Sequence, residues 1–208
     1  MRWSAALLAF ALLGATNALA QSGAPQAPMP LPVDDRGCQD VTYDVVVSPD
    51  GETLSILFDN MSVSGAPDGR RVQAACSLQI PLPLAPGYSL GVYKVDYRGF
   101  ARLSTRQIAE LKIDYGFGAA SGGLQFQRNI IGPIEDDYLF SETIGAGLMS
   151  RVGCGSRAKL TLNATLTLNS GRATGESLVT LDSVDGSRQG AITFYLERKK
   201  CTGFRRRQ

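Results

Sequence analysis

The 208-residue chain contains no histidine, and its single tryptophan, Trp3, stands close to the N-terminus. Without histidine the chain cannot form a Ser-His-Asp or Cys-His catalytic triad, and it has no imidazole ligand to offer a metal ion. Carboxylates, tyrosine, serine and lysine remain as candidates for catalysis. We therefore assign no catalytic residue, and we expect neither a metal ion nor another cofactor.

Long hydrophobic runs are scarce as well. Arg2, the apolar run Ala5–Leu13 and the small-residue motif Ala18-Leu19-Ala20 predict an export signal over residues 1–20. The apolar run is too short to span a bilayer and no second run follows it, so we expect no transmembrane anchor. The Pro/Ala-rich residues 21–36 are typical of a flexible leader. The sequence predicts a secreted or periplasmic protein with one domain over 37–201 and a basic tail over 202–208.

Basic residues are few outside the C-terminus. Of the 21 Lys and Arg residues, six lie in the last eleven positions and Arg2 lies in the export signal. The body therefore has 14 basic residues against 19 acidic ones, a net charge of about −5. The tail could contact an anionic wall polymer or a membrane surface, or it could simply be a solvated end.

The chain has only four cysteines, Cys38, Cys76, Cys154 and Cys201. An even number of cysteines in an exported chain predicts two disulfides. We favour a Cys38–Cys201 bond that ties the domain ends together, with Cys76 bonded to Cys154. Strand alternation puts the starts of the first and third strands at one end, so Cys38–Cys76 with Cys154–Cys201 stays open as the alternative.

Helical periodicity is nearly absent, and apolar residues alternate with polar ones along most of the chain. Ser48-Pro49-Asp50-Gly51 predicts a hairpin turn, and Asp185-Gly186-Ser187 predicts a second hairpin between the last two strands. Short β-rich segments at regular spacing predict an all-β, antiparallel β-sandwich of jelly-roll or immunoglobulin-like type. We expect about ten strands: 41–47, 53–58, 76–84, 88–100, 108–117, 124–131, 137–143, 160–168, 177–184 and 191–196.

Several short motifs follow one another in an order that resembles a known family. They are Gly37-Cys38, Phe58-Asp59-Asn60, Cys76, Val95-Asp96-Tyr97-Arg98-Gly99-Phe100, Gly132-Pro133 with Asp137-Tyr138, Cys154-Gly155, Leu181-Asp182-Ser183 with Asp185-Gly186, and a terminal Lys-Cys pair. Over Gly37–Cys201 the chain resembles the secreted fungal and bacterial proteins grouped as domain of unknown function 4360. The resemblance implies no catalytic residue, because this family has no agreed activity.

Asp96, Tyr97 and Arg98 form the most specific of these motifs, and we predict them as the candidate binding residues. Residues two apart share one face of a strand, so we also expect an ion pair between Asp96 and Arg98. Two carboxylate pairs, Asp96 with Asp59 and Asp182 with Asp185, could instead serve a glycosidase. A calcium role for the acidic run 135–137 would use suitable oxygen ligands, although its spacing matches no known loop.

Three functions remain after these exclusions. The first is a secreted, non-catalytic β-sandwich that binds an extracellular glycan or protein and has no nucleic-acid partner. The second is a carboxylate-dependent enzyme acting on polysaccharide, and the third is a structural component of the envelope or wall. The polar face Thr161, Asn163, Thr165 and Thr167 could meet a glycan or could simply be solvated.

Overall fold

The computed structural model describes residues 33–35, 37–38, 40–65, 69–82, 84–118, 123–145, 151–154, 158–171, 175–181 and 191–202. These residues form no helix, and in particular none that is long and apolar enough to cross a membrane. They form thirteen strands: β1 (Asp34–Asp35), β2 (Tyr43–Val47), β3 (Thr53–Phe58), β4 (Ser62–Ser64), β5 (Arg71–Pro81), β6 (Tyr88–Leu103), β7 (Ile108–Phe117), β8 (Leu124–Ile131), β9 (Ile134–Thr143), β10 (Arg151–Gly153), β11 (Lys159–Asn169), β12 (Leu178–Thr180) and β13 (Ile192–Lys200). The predicted export signal, most of the leader and nearly all of the basic tail lie outside the described residues.

The strands form two antiparallel sheets that pack face to face, as predicted. The five-stranded sheet has the order β1-β5-β11-β7-β8. The eight-stranded sheet has the order β2-β3-β13-β6-β12-β4, and β9 and β10 also pair with β6. Three short strands, β1, β4 and β10, add to the ten that the sequence predicts.

The core lies between the two sheets and is built from the residues that alternate inward. On β11 these are Leu160, Leu162, Ala164, Leu166 and Leu168, each at most 1% exposed. The equivalent positions of β7 and β13 are buried against them. Burial of one side of each strand is what the period-2 pattern in the sequence requires.

Strand pairing confirms one predicted hairpin and corrects the other. β2 pairs with β3 across the Ser48–Gly51 turn. β12 does not pair with β13, because both lie along the same side of β6: β13 occupies Tyr88–Tyr97 of that strand and β12 occupies Ala101 and Arg102. The final hairpin was therefore a wrong prediction, and its turn, 185–187, lies outside the described residues.

The disulfides follow the alternative connectivity. Cys38 is bonded to Cys76 and Cys154 to Cys201, so the end-tying pattern is wrong. Cys38 follows β1, which pairs with β5 at Leu78 and Gln79, close to Cys76. Cys154 and Cys201 follow β10 and β13, which flank the start of β6 on its two sides. Each bond thus links segments that sheet pairing has already brought together.

Candidate functional site

β6 is the central strand of the eight-stranded sheet. It is 16 residues long and pairs with β13 and β12 on one side and with β10 and β9 on the other. Its inward residues fill the core, while Lys94, Asp96 and Arg98 alternate on the outer face. The predicted binding motif therefore lies at the middle of the sheet, with neighbours on both sides.

Asp96 is 5% exposed although it lies on the outer face. Its Oδ1 accepts a hydrogen bond from Ser141 Oγ at 2.6 Å, and its Oδ2 accepts from Lys94 Nζ at 3.0 Å and Tyr195 OH at 2.9 Å. Burial raises the pKa of Asp96, but these hydrogen bonds and the Lys94 charge outweigh it and hold the pKa below its ordinary value. Asp96 is therefore an ionised carboxylate that holds three neighbours in place.

Arg98 does not form the predicted ion pair with Asp96. Asp96 pairs instead with Lys94, the residue two positions before it, at 3.0 Å. The neighbouring strands supply its other donors, Ser141 from β9 and Tyr195 from β13. Arg98 is half-buried, lies opposite the 54% exposed Leu139 of β9, and its side chain makes no ion pair within the described part of the chain.

Tyr97 faces the opposite way from Asp96 and Arg98. It is fully buried between the sheets, where its ring stacks on Phe126 with centroids 3.9 Å apart. Its hydroxyl donates to Glu142 Oε2 at 2.9 Å. Because strand residues alternate in direction, the motif Asp-Tyr-Arg could place at most two of its side chains on one surface. Tyr97 is thus a core residue and is no part of the binding surface.

Gly99 completes the motif for a packing reason. Tyr138 lies opposite it on β9, and the Tyr138 hydroxyl donates to the carbonyl oxygen of Thr180 on β12 at 2.6 Å. A Cβ at position 99 would fall well inside the contact distance of both atoms. Gly99 therefore lets a hydrogen bond between β9 and β12 pass directly over β6.

Two surface tyrosines were missed by the sequence analysis. The β6–β13 register shifts at Tyr195 and Leu196, which lie opposite Lys94 and Val92, so Tyr93 is an extra residue at a β-bulge. Tyr93 is 42% exposed, and its ring lies 6.1 Å from that of Tyr195. Lys94 Nζ lies 4.6 Å from the centroid of the Tyr195 ring. A bulge depends on the partner strand, so the local pattern gives no signal for it.

The structure does not bring Asp59 close to Asp96. Ser55 is the β3 residue in the same row as Asp96, and Asp59 lies four residues further along, two strands away. Strand geometry puts the two backbones about 13 Å apart along the strands and about 10 Å across them, beyond the roughly 5–9.5 Å that glycosidase carboxyl groups span. Asp182 and Asp185 lie outside the described residues.

The acidic run 135–137 lies on β9, where Glu135 is paired with Arg102 at 2.8 Å. Within the described ranges, no three Asp, Glu or Cys side chains are close enough together to hold a metal ion. An open cleft of about 630 Å³ lies beside this pair, lined by Ser104, Pro133 and Glu176 among others.

The polar side of β11 faces away from the core, but Thr167, which the sequence places on it, is buried with 4% exposure. Thr161, Asn163 and Thr165 lie on the outer face of the five-stranded sheet, and Asn163 lies between the polar residues Ser77 of β5 and Asp114 of β7. Asn163 accepts a short hydrogen bond from Ser77. Charged groups on this face pair with one another, as Lys112 does with Asp114 at 3.5 Å.

Residues 35–201 match the family model described as "Domain of unknown function (DUF4360)". A relative from Arthroderma benhamiae, described as an uncharacterized secreted protein, is 26% identical over 168 residues, which cover 80% of this chain and 68% of the relative. Together with the two disulfides, the secreted relative places this protein outside the cytoplasm.

Proposed function

The chain belongs to the DUF4360 family, and from this premise we propose that it is a secreted, non-catalytic β-sandwich that binds an extracellular polymer or protein. The binding surface is the outer face of the eight-stranded sheet around Asp96, here called the Asp96 face. It comprises Tyr93, Lys94, Asp96, Arg98, Leu139, Ser141 and Tyr195.

The observation that carries this proposal is the fixed arrangement of exposed side chains around a buried carboxylate. Asp96 holds Lys94 and Tyr195 in place, while Tyr93 and Leu139 remain 42% and 54% exposed beside them. Tyrosine and arginine are the side chains that binding surfaces favour, because they combine a large contact area with hydrogen bonding. A surface whose side chains are already ordered loses less entropy on binding.

Asp96 itself is poorly suited to catalysis. A general acid in glycoside hydrolysis needs a raised pKa so that it carries a proton at neutral pH, whereas the hydrogen bonds to Asp96 lower its pKa. Both of its oxygens already accept hydrogen bonds from protein groups. The carboxylate therefore serves as an anchor for the surface, which favours the binding function over the polysaccharide-active enzyme.

A glycan array probed with the secreted protein tests this function. We expect saturable binding to one polymer class, weakened about tenfold or more in Tyr93→Ala, the range of an interface hot spot. Tyr88→Ala is the matched control, since Tyr88 lies on the same strand and is 37% exposed but belongs outside the Asp96 face. Polymer cleavage abolished by Asp96→Asn would instead establish the enzyme. A protein that binds no soluble ligand and stays with the insoluble wall fraction would be the structural component.

We also infer that residues 1–20 are removed on export. The mature chain then starts at Gln21 or within two residues of it, and it lacks Trp3. N-terminal sequencing of the exported protein checks this, and the mature protein should show no tryptophan fluorescence. A retained Met1 outside the cytoplasm would contradict the inference.

A further inference from the structure

A second acid held between two cations lies on the same outer face as Asp96. Glu197 of β13 accepts a short hydrogen bond from Arg151 of β10 and lies 3.0 Å from Lys199 Nζ. The hydrogen bond from Lys199 and the positive charges of Arg151 and Lys199 hold the pKa of Glu197 below its ordinary value. Asp96 likewise pairs with a lysine two residues away, Lys94, but it makes no ion pair with Arg98.

The two clusters lie along one line. Glu197 and Arg151 both lie opposite Gly91 of β6, one from each side, and Tyr195, two residues before Glu197, lies opposite Lys94. Because residues two apart share a face, Tyr195, Glu197 and Lys199 continue the Asp96 face toward the start of β6. From Lys199 to Arg98 the line spans eight residue steps, or about 26 Å.

The charges along this line are unbalanced. Four cations accompany two acids, and protein donors already engage both acids. The exposed Tyr93 and the half-buried Tyr195 lie on this line as well. Beyond Arg98, the outward residues of β9 are the acids Asp137 and Glu135, and Glu135 pairs with Arg102. We call the positive part the basic tyrosine strip: Tyr93, Lys94, Arg98, Arg151, Tyr195 and Lys199.

We propose that the basic tyrosine strip binds an acidic polysaccharide through the carboxylate groups of its sugars. The sugar rings lie against Tyr93 and Tyr195, and carboxylates pair with Arg98 at one end and Lys199 at the other. A guanidinium binds a carboxylate with two parallel hydrogen bonds, which an ammonium cannot reproduce. Arg98 is suited to this role because its side chain makes no ion pair within the described ranges.

This assignment rests on the proposed function and names its ligand class. A neutral polymer would leave the excess positive charge without a partner. A membrane surface would supply negative charge but no sugar ring for two tyrosines fixed on adjacent strands. Charge and aromatic area together therefore favour the acidic polysaccharide.

The test compares three carboxylated polymers and includes one pair, polygalacturonate and its methyl ester, that differs chiefly in charge. Binding of the secreted protein is measured by calorimetry with polygalacturonate, its fully methyl-esterified form, alginate and hyaluronate, at two salt concentrations. We expect the protein to bind at least one carboxylated polymer, with an affinity that falls as the salt concentration rises. If that polymer is polygalacturonate, its methyl ester should bind at least tenfold more weakly. Arg98→Ala should lower the affinity about tenfold and weaken its dependence on salt, and Arg98→Lys should restore only part of the affinity.

Lys112→Ala and Tyr88→Ala are the matched controls, because Lys112 lies on the opposite sheet and Tyr88 lies outside the strip; both should bind like the wild type. Each variant is first checked for an unchanged melting temperature. Equal binding of polygalacturonate and its methyl ester, weakened by Tyr93→Ala, would keep the proposed function and overturn the acidic ligand. Binding to phosphatidylglycerol vesicles without binding to any of the polymers would also overturn it. If the protein binds no carboxylated polymer and a protein partner is found instead, the acidic polysaccharide is also ruled out as the ligand.

Discussion

Tyr97 and Tyr115 belong to different sheets, yet their hydroxyl groups donate to the same oxygen of Glu142, at 2.9 and 3.1 Å. Tyr97 comes from β6, Tyr115 from β7 and Glu142 from β9. Both tyrosines are at most 2% exposed. The three side chains form a polar link across the core between the sheets, and buried polar groups of this kind are stabilising only while all their hydrogen bonds are made.

This link should make the protein sensitive to alkali. Burial and the neighbouring Glu142 charge raise the pKa of Tyr97 and Tyr115 above the ordinary value of 10.0. A raised folded-state pKa gives stability that is complete below about pH 10 and is lost as the pH rises above it, because the unfolded chain releases its protons first. The free energy of unfolding should fall by about 1.4 kcal/mol per pH unit for each such tyrosine.

Denaturant unfolding from pH 8 to 11 measures this slope. Tyr97→Phe should reduce this slope by the contribution of one tyrosine. The substitution also removes a hydrogen bond, which lowers the stability at every pH. Tyr88→Phe is the control and should leave the slope as in the wild type. A slope that Tyr97→Phe does not change would show that this hydroxyl ionises normally.

Asp96→Asn should destabilise the protein far more than the same change at Asp114. Both acids pair with a lysine two residues before them, but the Asp96 side chain is 7% exposed and the Asp114 side chain 39%. Hydrogen bonds to a buried charged group contribute about 1.5–3 kcal/mol, whereas an exposed pair contributes about 0–1 kcal/mol. Arg98→Ala should have a small effect, because Arg98 does not pair with Asp96.

The stability that Asp96 contributes should also depend on pH. Its pKa is lowered in the folded state, so its stabilisation is complete above about pH 4 and is lost as the pH falls through the folded-state pKa. Asp96→Asn should therefore flatten the acid side of the stability profile, measured by thermal unfolding from pH 2 to 7. If Asp96→Asn and Asp114→Asn destabilise the protein equally, Asp96 does not anchor the surface.

Gly99→Ala should destabilise the fold by about 1–3 kcal/mol or more, the range for an overpacked core. The new methyl group would displace Tyr138 or the Thr180 carbonyl and break their hydrogen bond. Gly145→Ala is the control, since a Cβ there meets no atom within 4 Å. The denaturant midpoint should therefore fall in Gly99→Ala and stay close to that of the wild type in Gly145→Ala. A tolerated Gly99→Ala would mean that β9 and β12 can move apart without loss.

The two disulfides should differ in their resistance to reduction. Cys154 is exposed and Cys201 half-buried, whereas Cys76 is 1% exposed. An accessible disulfide is attacked first by a thiol, so low dithiothreitol should open Cys154–Cys201 before Cys38–Cys76. Loops of 38 and 47 residues predict about 4 kcal/mol of stabilisation from each bond. Alkylation followed by peptide mapping gives the order, and simultaneous opening of both bonds would contradict it.

The sequence by itself determined the features that depend on neighbouring residues. Alternation along 160–168 gave β11 and its buried side, the Ser48–Gly51 turn gave the first hairpin, and four cysteines in an exported chain gave two disulfides. A period-2 pattern records which side of a strand is buried, so the all-β sandwich could be predicted from it.

Only the tertiary structure decided which distant residues meet. It paired β12 with β4 and β6 instead of β13, joined Cys38 to Cys76, gave Asp96 the partners Ser141 and Tyr195, and exposed Tyr93 at a bulge. Each of these contacts depends on the order and register of strands far apart in the chain. Local alternation is the same for any strand order, so the sequence pattern could not choose among them.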